Sequence, residues 1–342
     1  MVTARTTITA VAAQAGVSVS TVSRVMNDNP TVAPEIATRV RAAASSLGYT
    51  ASPMARSLVL GRTQTVAVLV PDLGNPTFQG VLRGVTRAAD REGYHLLVAE
   101  TAEDTDAEPI KARKARERCD ALVLVSPRMP EETLRHLARE LAPVVVVNRH
   151  SPDLAAPTLG PDYRQGITLL AEHLISLGHH HLAYVAGRPE SYSDAERRAG
   201  LAQVAASNPG VVISAVDGGV MHDHGVAAAD AVLATGATGI LAFNDLVAMG
   251  LLSELHTRGI AVPGDVSVVG FDDIPLAAFT TPSLTTAHVP VTEVGEEAWA
   301  RLSRQLAGAT ASGDLTFRPR LVVRASSGPA PLVTDRPTTR NR

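Results

Sequence analysis

The sequence predicts a short all-α N-terminal module with helix-turn-helix spacing, followed by a large α/β body of doubly wound parallel sheets. Three observations carry this. Residues 7–27 hold two short helical patterns separated by Gly16. From Thr63 onward, apolar runs alternate with amphipathic stretches, the pattern of βα units. Positive charge is concentrated at one end: six Arg against Asp28 and Glu35 leave residues 1–62 at about +4. The remaining 25 basic and 32 acidic residues give about −7, within a net −3.

At 342 residues the chain has room for two or three domains, each with a sizeable core. Although 45% of residues are hydrophobic, no run approaches the ~20 consecutive apolar residues of a membrane helix. The first residues lack the apolar stretch of a secretory signal, which makes the cytoplasm the expected compartment, with no membrane partner. The single cysteine, Cys119, excludes an internal disulfide framework and reads as a small buried hydrophobe.

In the first module, Ile8, Val11, Ala12 and Ala15 mark one face of a helix that Thr7 can cap. Gly16 supplies the turn, and Ser18 is placed to cap a second helix that carries Val22, Val25 and Met26 inward. That helix exposes Val19, Ser20, Thr21, Ser23, Arg24 and Asn27, short polar groups and one guanidinium suited to base edges and phosphates. Periodicity alone leaves an ordinary surface αα-hairpin open. Asn27-Asp28-Asn29-Pro30 is a turn, and Pro34 starts a third helix with an Ile36, Val40, Ala43, Ala44, Leu47 stripe ended by Gly48.

The segment Ala12, Ala15, Gly16, Val17, Ser18, Thr21, Val22, Ser23, Arg24, Val25, Asn27 closely resembles the DNA-binding headpiece of the lactose-repressor/galactose-repressor family of bacterial transcription factors. The resemblance implies a headpiece over 1–50 and a hinge over 51–62. It further implies a two-lobed, periplasmic-binding-protein-like effector and dimerisation domain over 63–325; a disordered tail is expected over 326–342. Two positions depart from the family: Ala33 where a serine usually caps, and Ala10 where an aspartate is common. Both predict weaker helix starts. On this resemblance Val19 and Ser20 read base edges and Arg24 reaches a base or phosphate. Thr7, Ser18, Thr21, Ser23, Asn27 and Tyr49 join the DNA-facing set, as do Ala55, Arg56 and Leu58 of the hinge. Leu58 from two copies would wedge into the minor groove.

In the body, buried parallel strands are expected at Val66–Val70, Leu96–Ala99, Ala121–Val125 and Val144–Val147, and a second series of strands at His181–Ala186, Val211–Val216, Gly239–Phe243 and Val266–Phe271. Helices are expected near 77–92, 106–118, 130–140, 163–177, 194–206, 223–235 and 245–258. The family implies crossings between lobes near 160, 289 and 324, with Val291–Ala307 and Leu315–Val323 returning to the first lobe. The tail from Ser326 has no leucine heptad, so a homodimer on a pseudo-palindromic operator is expected.

Ligands of doubly wound sheets bind beyond the carboxyl ends of strands. The motifs PD-x-x-NP-x-F, S-x-x-x-R-x-x-G, FND and GFDD sit there and resemble the family's effector pocket. They nominate Asp72, Phe78, Asp162, Arg197, Asn244 and Asp272, with Asn148 after a strand end and Phe271 as a further stacking ring. Arg197 and Asp272 are the residues expected to clamp vicinal hydroxyls. Carboxylates at strand ends also cap helices, the role expected of Asp245 and Asp273. Where relatives place Trp or Phe, Val220 makes that wall aliphatic and leaves Phe78 and Phe271 to stack.

His179-His180-His181 and His222-Asp223-His224 do not make a metal site, since adjacent strand residues point to opposite faces. The first cluster is read as a basic, solvated turn. No G-x-S-x-G, H-E-x-x-H, Walker A or G-x-G-x-x-G arrangement occurs, so neither catalysis nor a cofactor has support. The expected function is a DNA-binding transcriptional regulator, a repressor governed by a small-molecule effector such as a sugar. A solute-binding protein of transport is the alternative, but would carry a signal peptide and no basic head.

Overall fold

The computed structural model describes residues 6–27, 30–49, 61–309 and 313–331, and the chain divides into two units at Thr65/Val66. In the first unit, α1 (Ile8–Ala15) and α2 (Val19–Met26) are separated by Gly16 at φ 64°, a left-handed turn that glycine adopts without strain. Thr7 and Ser18 cap them through Ala10 and Thr21 N–H, as their positions predict. The third helix, α3 (Pro34–Ser46), starts without a side-chain cap at Ala33 and relies on Pro34 and Glu35 in its first turn. Val11, Val22, Val25 and Val40 form the shared core.

The second unit consists of two lobes. The first is a six-stranded parallel sheet in the order β11-β5-β4-β3-β1-β2, made of β1 (Thr65–Val70), β2 (His95–Glu100), β3 (Ala121–Val125), β4 (Val144–Val147), β5 (Thr158–Pro161) and β11 (Leu315–Phe317). Helices α4 (Pro76–Arg91), α5 (Ala107–Arg116), α6 (Glu131–Glu140) and α11 (Val291–Leu306) cover it. The pleat assigns the faces. Val66, Val68 and Val70 meet Val81, Val85 and Trp299 on one side, while Ala67 and Leu69 meet Ala112, Leu134 and Leu137 on the other.

The second lobe has the order β7-β6-β8-β9, from β6 (His181–Val185), β7 (Val212–Val216), β8 (Gly239–Ala242) and β9 (Ser267–Val269). Its helices are α7 (Tyr163–Ser176), α8 (Tyr192–Ser207), α9 (His222–Ala234) and α10 (Asp245–Thr257). A two-stranded antiparallel pair, β10 (Thr286–His288) and β12 (Arg320–Val322), joins it. The doubly wound parallel architecture is therefore as expected.

Four details differ from the expectation. Strand β2, expected to be buried, is a sheet edge with Val98 exposed; β7 is likewise an edge, with Val212 exposed. β5 and β10, written Thr-Leu-Gly-Pro and Thr-Ala-His, contain no apolar run to register. The last crossing falls at Arg318–Pro319, not near 324, because β11 pairs with β5 of the first lobe whereas Arg320–Val322 already pairs with β10.

The fourth concerns the end of the chain and the first histidine cluster together. Residues 326–331, expected to be disordered, pack against the second lobe: Ser326 is buried and its hydroxyl donates to the Val268 carbonyl. His179, expected in a solvated turn, is fully buried and holds this strap. Burial lowers the affinity of its ring for a proton, and Nε2 lies 3.1 Å from the Gly328 carbonyl. A carbonyl only accepts, so Nε2 carries the hydrogen and Nδ1 accepts from the Thr238 hydroxyl. Cys119 is buried beside β3, which pushes its thiol up to about 11, as expected of an inert packing residue.

Candidate functional site

Within the first unit, Val19 (43% exposed), Ser20 and Arg24 stand on the outer face of α2. Thr21 and Ser18 are occupied with each other, their hydroxyls 2.9 Å apart at the cap. Ser23 and Asn27 are half-buried, the Asn27 amide donating to the Ser23 carbonyl. Thr7 is exposed at the start of α1, and Tyr49 packs half-buried against the three-helix core. Ala55, Arg56 and Leu58 lie outside the described residues.

The strand orders locate the second site. In the first lobe the order reverses between β1 and β3, and in the second between β6 and β8; ligand crevices form at such switch points. The loops leaving β1 and β3 bring Asn75, Thr77, Phe78, Ser126 and Arg128 to one wall, with Asn148 from the end of β4. Opposite stand Ser193 and Arg197 from α8, Phe243 and Asn244 after β8, and Asp272 after β9, with Val220 and Tyr163 completing the wall.

At the centre is Arg197. Its guanidinium carbon lies 3.9 Å from the Phe271 ring centroid and 4.6 Å from both Tyr163 and Phe243, an aromatic cage that holds the cation electrostatically. One Nη donates to the Ser193 carbonyl at 3.0 Å, while Nε is buried without a partner. Among the described residues no carboxylate pairs with it, so it offers unused donors to the cleft. Asp272, at φ 112°, accepts at 2.7 Å from the Thr77 hydroxyl of the other lobe. Burial raises its carboxyl to about 6, although the Arg197 charge and the Thr77 bond both favour the ionised form.

A second cross-lobe bond runs from Arg128 to the Ser191 hydroxyl at 3.0 Å, the same guanidinium holding Glu103 at 2.8 Å. Between these two bridges the cleft has a volume of about 30 Å³, roughly the share of one water molecule in the liquid.

Five of the eight nominated residues therefore line this cleft: Phe78, Asn148, Arg197, Asn244 and Asp272. The Asn244 amide is already engaged, capping α10 through Val247 N–H and donating to the Val220 carbonyl. Asp72 does not line it; its carboxylate accepts from Gly74 N–H in the loop after β1. Asp162 caps α7 through Gln165 N–H and faces an adjoining cavity. Phe271 is wholly buried beneath Arg197 and offers the cleft no face. Asp245 and Asp273 are structural but not as the expected helix caps, since Asn244 caps α10: Asp245 accepts from Thr286 and Ile274, and Asp273 pairs with Arg324 and His288.

Apart from Val220, the lining residues not nominated were Asn75, Thr77, Glu103, Ser126, Arg128, Tyr163, Ser193 and Phe243. Five of them had a signal: Asn75, Thr77, Ser193 and Phe243 stand inside the motifs PD-x-x-NP-x-F, S-x-x-x-R-x-x-G and FND, and Tyr163 follows Asp162. Among the described residues no group of three or more His, Cys, Asp or Glu is placed to hold a metal. No described helix is long and apolar enough to cross a membrane.

A helix-turn-helix unit in one chain with a two-lobed, clefted α/β body defines a class, the transcriptional regulators that carry their own ligand sensor. Comparisons with known proteins agree. The bacterial regulatory proteins, lacI family, match at residues 7–52, and the periplasmic binding protein-like domain at 171–327. The HTH-type transcriptional regulator MalR of Streptomyces coelicolor is 32% identical over 341 residues, covering 96% of this chain and 98% of that protein. GalR of Escherichia coli K12 is 33% identical over 332 residues, covering 94% and 95%.

Among solved structures, a Lac repressor dimer bound to operator and the anti-inducer ONPF superposes with a TM-score of 0.86 at 24% identity. It covers 95% of this chain and 100% of that one. A complex of the regulator CelR with cellobiose gives 0.69 at 27%, covering 94% and 100%. The chain belongs to the lacI family of bacterial regulatory proteins and is a helix-turn-helix transcriptional regulator, not an enzyme.

Proposed function

We propose that the protein is a repressor that binds a pseudo-palindromic operator as a homodimer and is released or tightened by a sugar bound in the interlobe cleft. The observation that carries the sensor reading is Arg197, caged by three aromatic rings and facing the cleft with unused donors near Asp272. A fork of donors beside a carboxylate suits vicinal hydroxyls, and Phe78, Val220 and Phe243 supply the apolar wall. The relatives' names point the same way, since CelR was solved with cellobiose.

For the DNA end, Val19 and Ser20 would contact base edges and Arg24 a base or phosphate. Dimerisation is supported by apolar side chains left in solvent on both lobes: Val98 and Ile110 (54% exposed) on the first, Leu276 and Phe279 (82%) on the second.

The test has two readouts on the full chain. A panel of sugars is screened by thermal shift, and each hit is added to an anisotropy titration with a selected operator. A sugar that raises the unfolding temperature and changes operator affinity is expected, with both effects lost in Arg197→Ala and retained in a surface variant such as Arg139→Ala. An undiminished shift in Arg197→Ala would place the site elsewhere.

A further inference from the structure

Beside the cleft, and sharing Asn148 and Tyr163 with it as a common wall, lies a second and larger cavity of about 220 Å³. It is framed by β4, β5 and β11 of the first lobe and by the starts of α7 and α8 of the second. A space below the ~300 Å³ of a typical ligand pocket does not hold a whole effector by itself. Across Asn148 and Tyr163 from the Arg197 cleft, it offers room for one further unit of a ligand held there.

Its lining divides into groups already engaged and groups that are not. His150 and Thr158 bond to each other at 2.9 Å and both reach Asp314, so they build the wall. Among the described residues, the Asn148 amide and the Tyr192, Tyr163 and Thr316 hydroxyls have no hydrogen-bond partner. Asn148 is only 7% exposed and held at φ 60°, a left-handed conformation that asparagine tolerates better than most residues. An amide both donates and accepts, so from the shared wall it can serve a hydroxyl on either side. Burial pushes the Tyr192 hydroxyl up to about 12, which keeps it a neutral donor and acceptor.

The charged groups of the lining are taken, Arg149 by Glu131, Glu196 by Arg164 and Asp162 by the Gln165 N–H. What is left, two tyrosine rings with free hydroxyls, one amide and one threonine, suits the face and edge of a sugar ring, not a phosphate or carboxylate. We infer that this cavity is a second glycosyl subsite, and that the effector is an oligosaccharide of at least two units, one on Arg197 and Asp272 and the next against Tyr192 and Thr316. This rests on the sugar reading of the Arg197 cleft and names the ligand class within it.

Calorimetry on the full chain with D-glucose, D-galactose, maltose, cellobiose and lactose tests it. At least one disaccharide is expected to bind ten-fold or more tightly than either monosaccharide. Thr316→Trp, at an exposed position where a large side chain disturbs no core, should bring that disaccharide down to the monosaccharide level and leave monosaccharide binding unchanged. Tyr192→Phe, which removes one hydroxyl and keeps the ring, should weaken the disaccharide alone, by several-fold. Disaccharide binding abolished by Arg197→Ala but indifferent to Thr316→Trp and Tyr192→Phe would overturn the second subsite and leave the cleft standing. Equal affinity for monosaccharides and disaccharides would do the same. No binding of any of the five sugars would sink the sugar reading, and this inference with it.

Discussion

A carboxylate held at φ 112° in the seam between two lobes, as Asp272 is, has to be satisfied by whatever crosses the seam. In this structure the Thr77 hydroxyl does so; a ligand hydroxyl would take the same oxygen. The ionised form is the better acceptor, and burial sets its pKa at about 6, so sugar affinity should fall as pH drops from about 7.5 to about 5. Calorimetry across that range checks it, and Asp272→Asn should be weaker throughout and flat with pH. A slope that survives in Asp272→Asn would assign the titration to another group.

Stability has the opposite sign at this residue. A carboxyl raised above its ordinary 3.8 costs stability when ionised, and the cost fades as pH falls from about 6 toward 3.8. His179 pulls against it: its folded affinity for a proton is depressed, so the support it gives the C-terminal strap is complete above 6.5 and lost on acidification below that. Acid therefore weakens binding in one direction while its two effects on stability oppose each other, so the two quantities should not track over one pH range.

At the scale of elements, α4 and α11 pack backbone to backbone, with Gly84 and Gly295 facing each other's helices. A Cβ on Gly84 would meet the Thr292 carbonyl and the Glu296 amide, backbone atoms that have no rotamer to give. Gly84→Ala should gain intrinsic helix propensity, by ~1 kcal/mol, and still lose overall, because overpacking costs about 1–3 kcal/mol and here strikes backbone. A urea melt showing a lower midpoint at unchanged slope is expected. A stabilised variant would mean that the two helices can part freely.

Such packing explains what could be read in advance. β1, β3 and β4 were visible as Val- and Leu-rich runs because both faces are covered. β5, written Thr-Leu-Gly-Pro, was not, since its strand character comes from its neighbours β4 and β11. The site divides in the same way. Arg197 and Asp272 sit in motifs that chain order preserves. The Glu103–Arg128–Ser191 bridge joins residues 25 and 63 positions apart, and only the strand order brings them to one crevice. Phe271 shows the converse, a motif residue whose ring turned inward to support the functional group instead of joining it.

For the whole sensor, the decisive quantity is the volume of the cleft. About 30 Å³ admits no sugar ring, so a ligand reaches Arg197 only when the lobes part, and parting breaks Thr77–Asp272 and Arg128–Ser191. Each bond has one charged partner and is worth roughly 1.5–3 kcal/mol, enough to hold the open form to a minor population. Association should then be gated: in stopped-flow, the observed rate rises with sugar concentration and levels off at the opening rate. Thr77→Val keeps the shape and removes one bond, so the plateau should rise about ten-fold, the equivalent of ~1.4 kcal/mol. A hydroxyl that merely decorated the wall would leave the plateau where it was. Since the sugar itself replaces the lost bond at Asp272, the faster opening should come with tighter equilibrium binding. A purely structural defect at position 77 would weaken binding, and the two measurements together separate a latch from a packing residue.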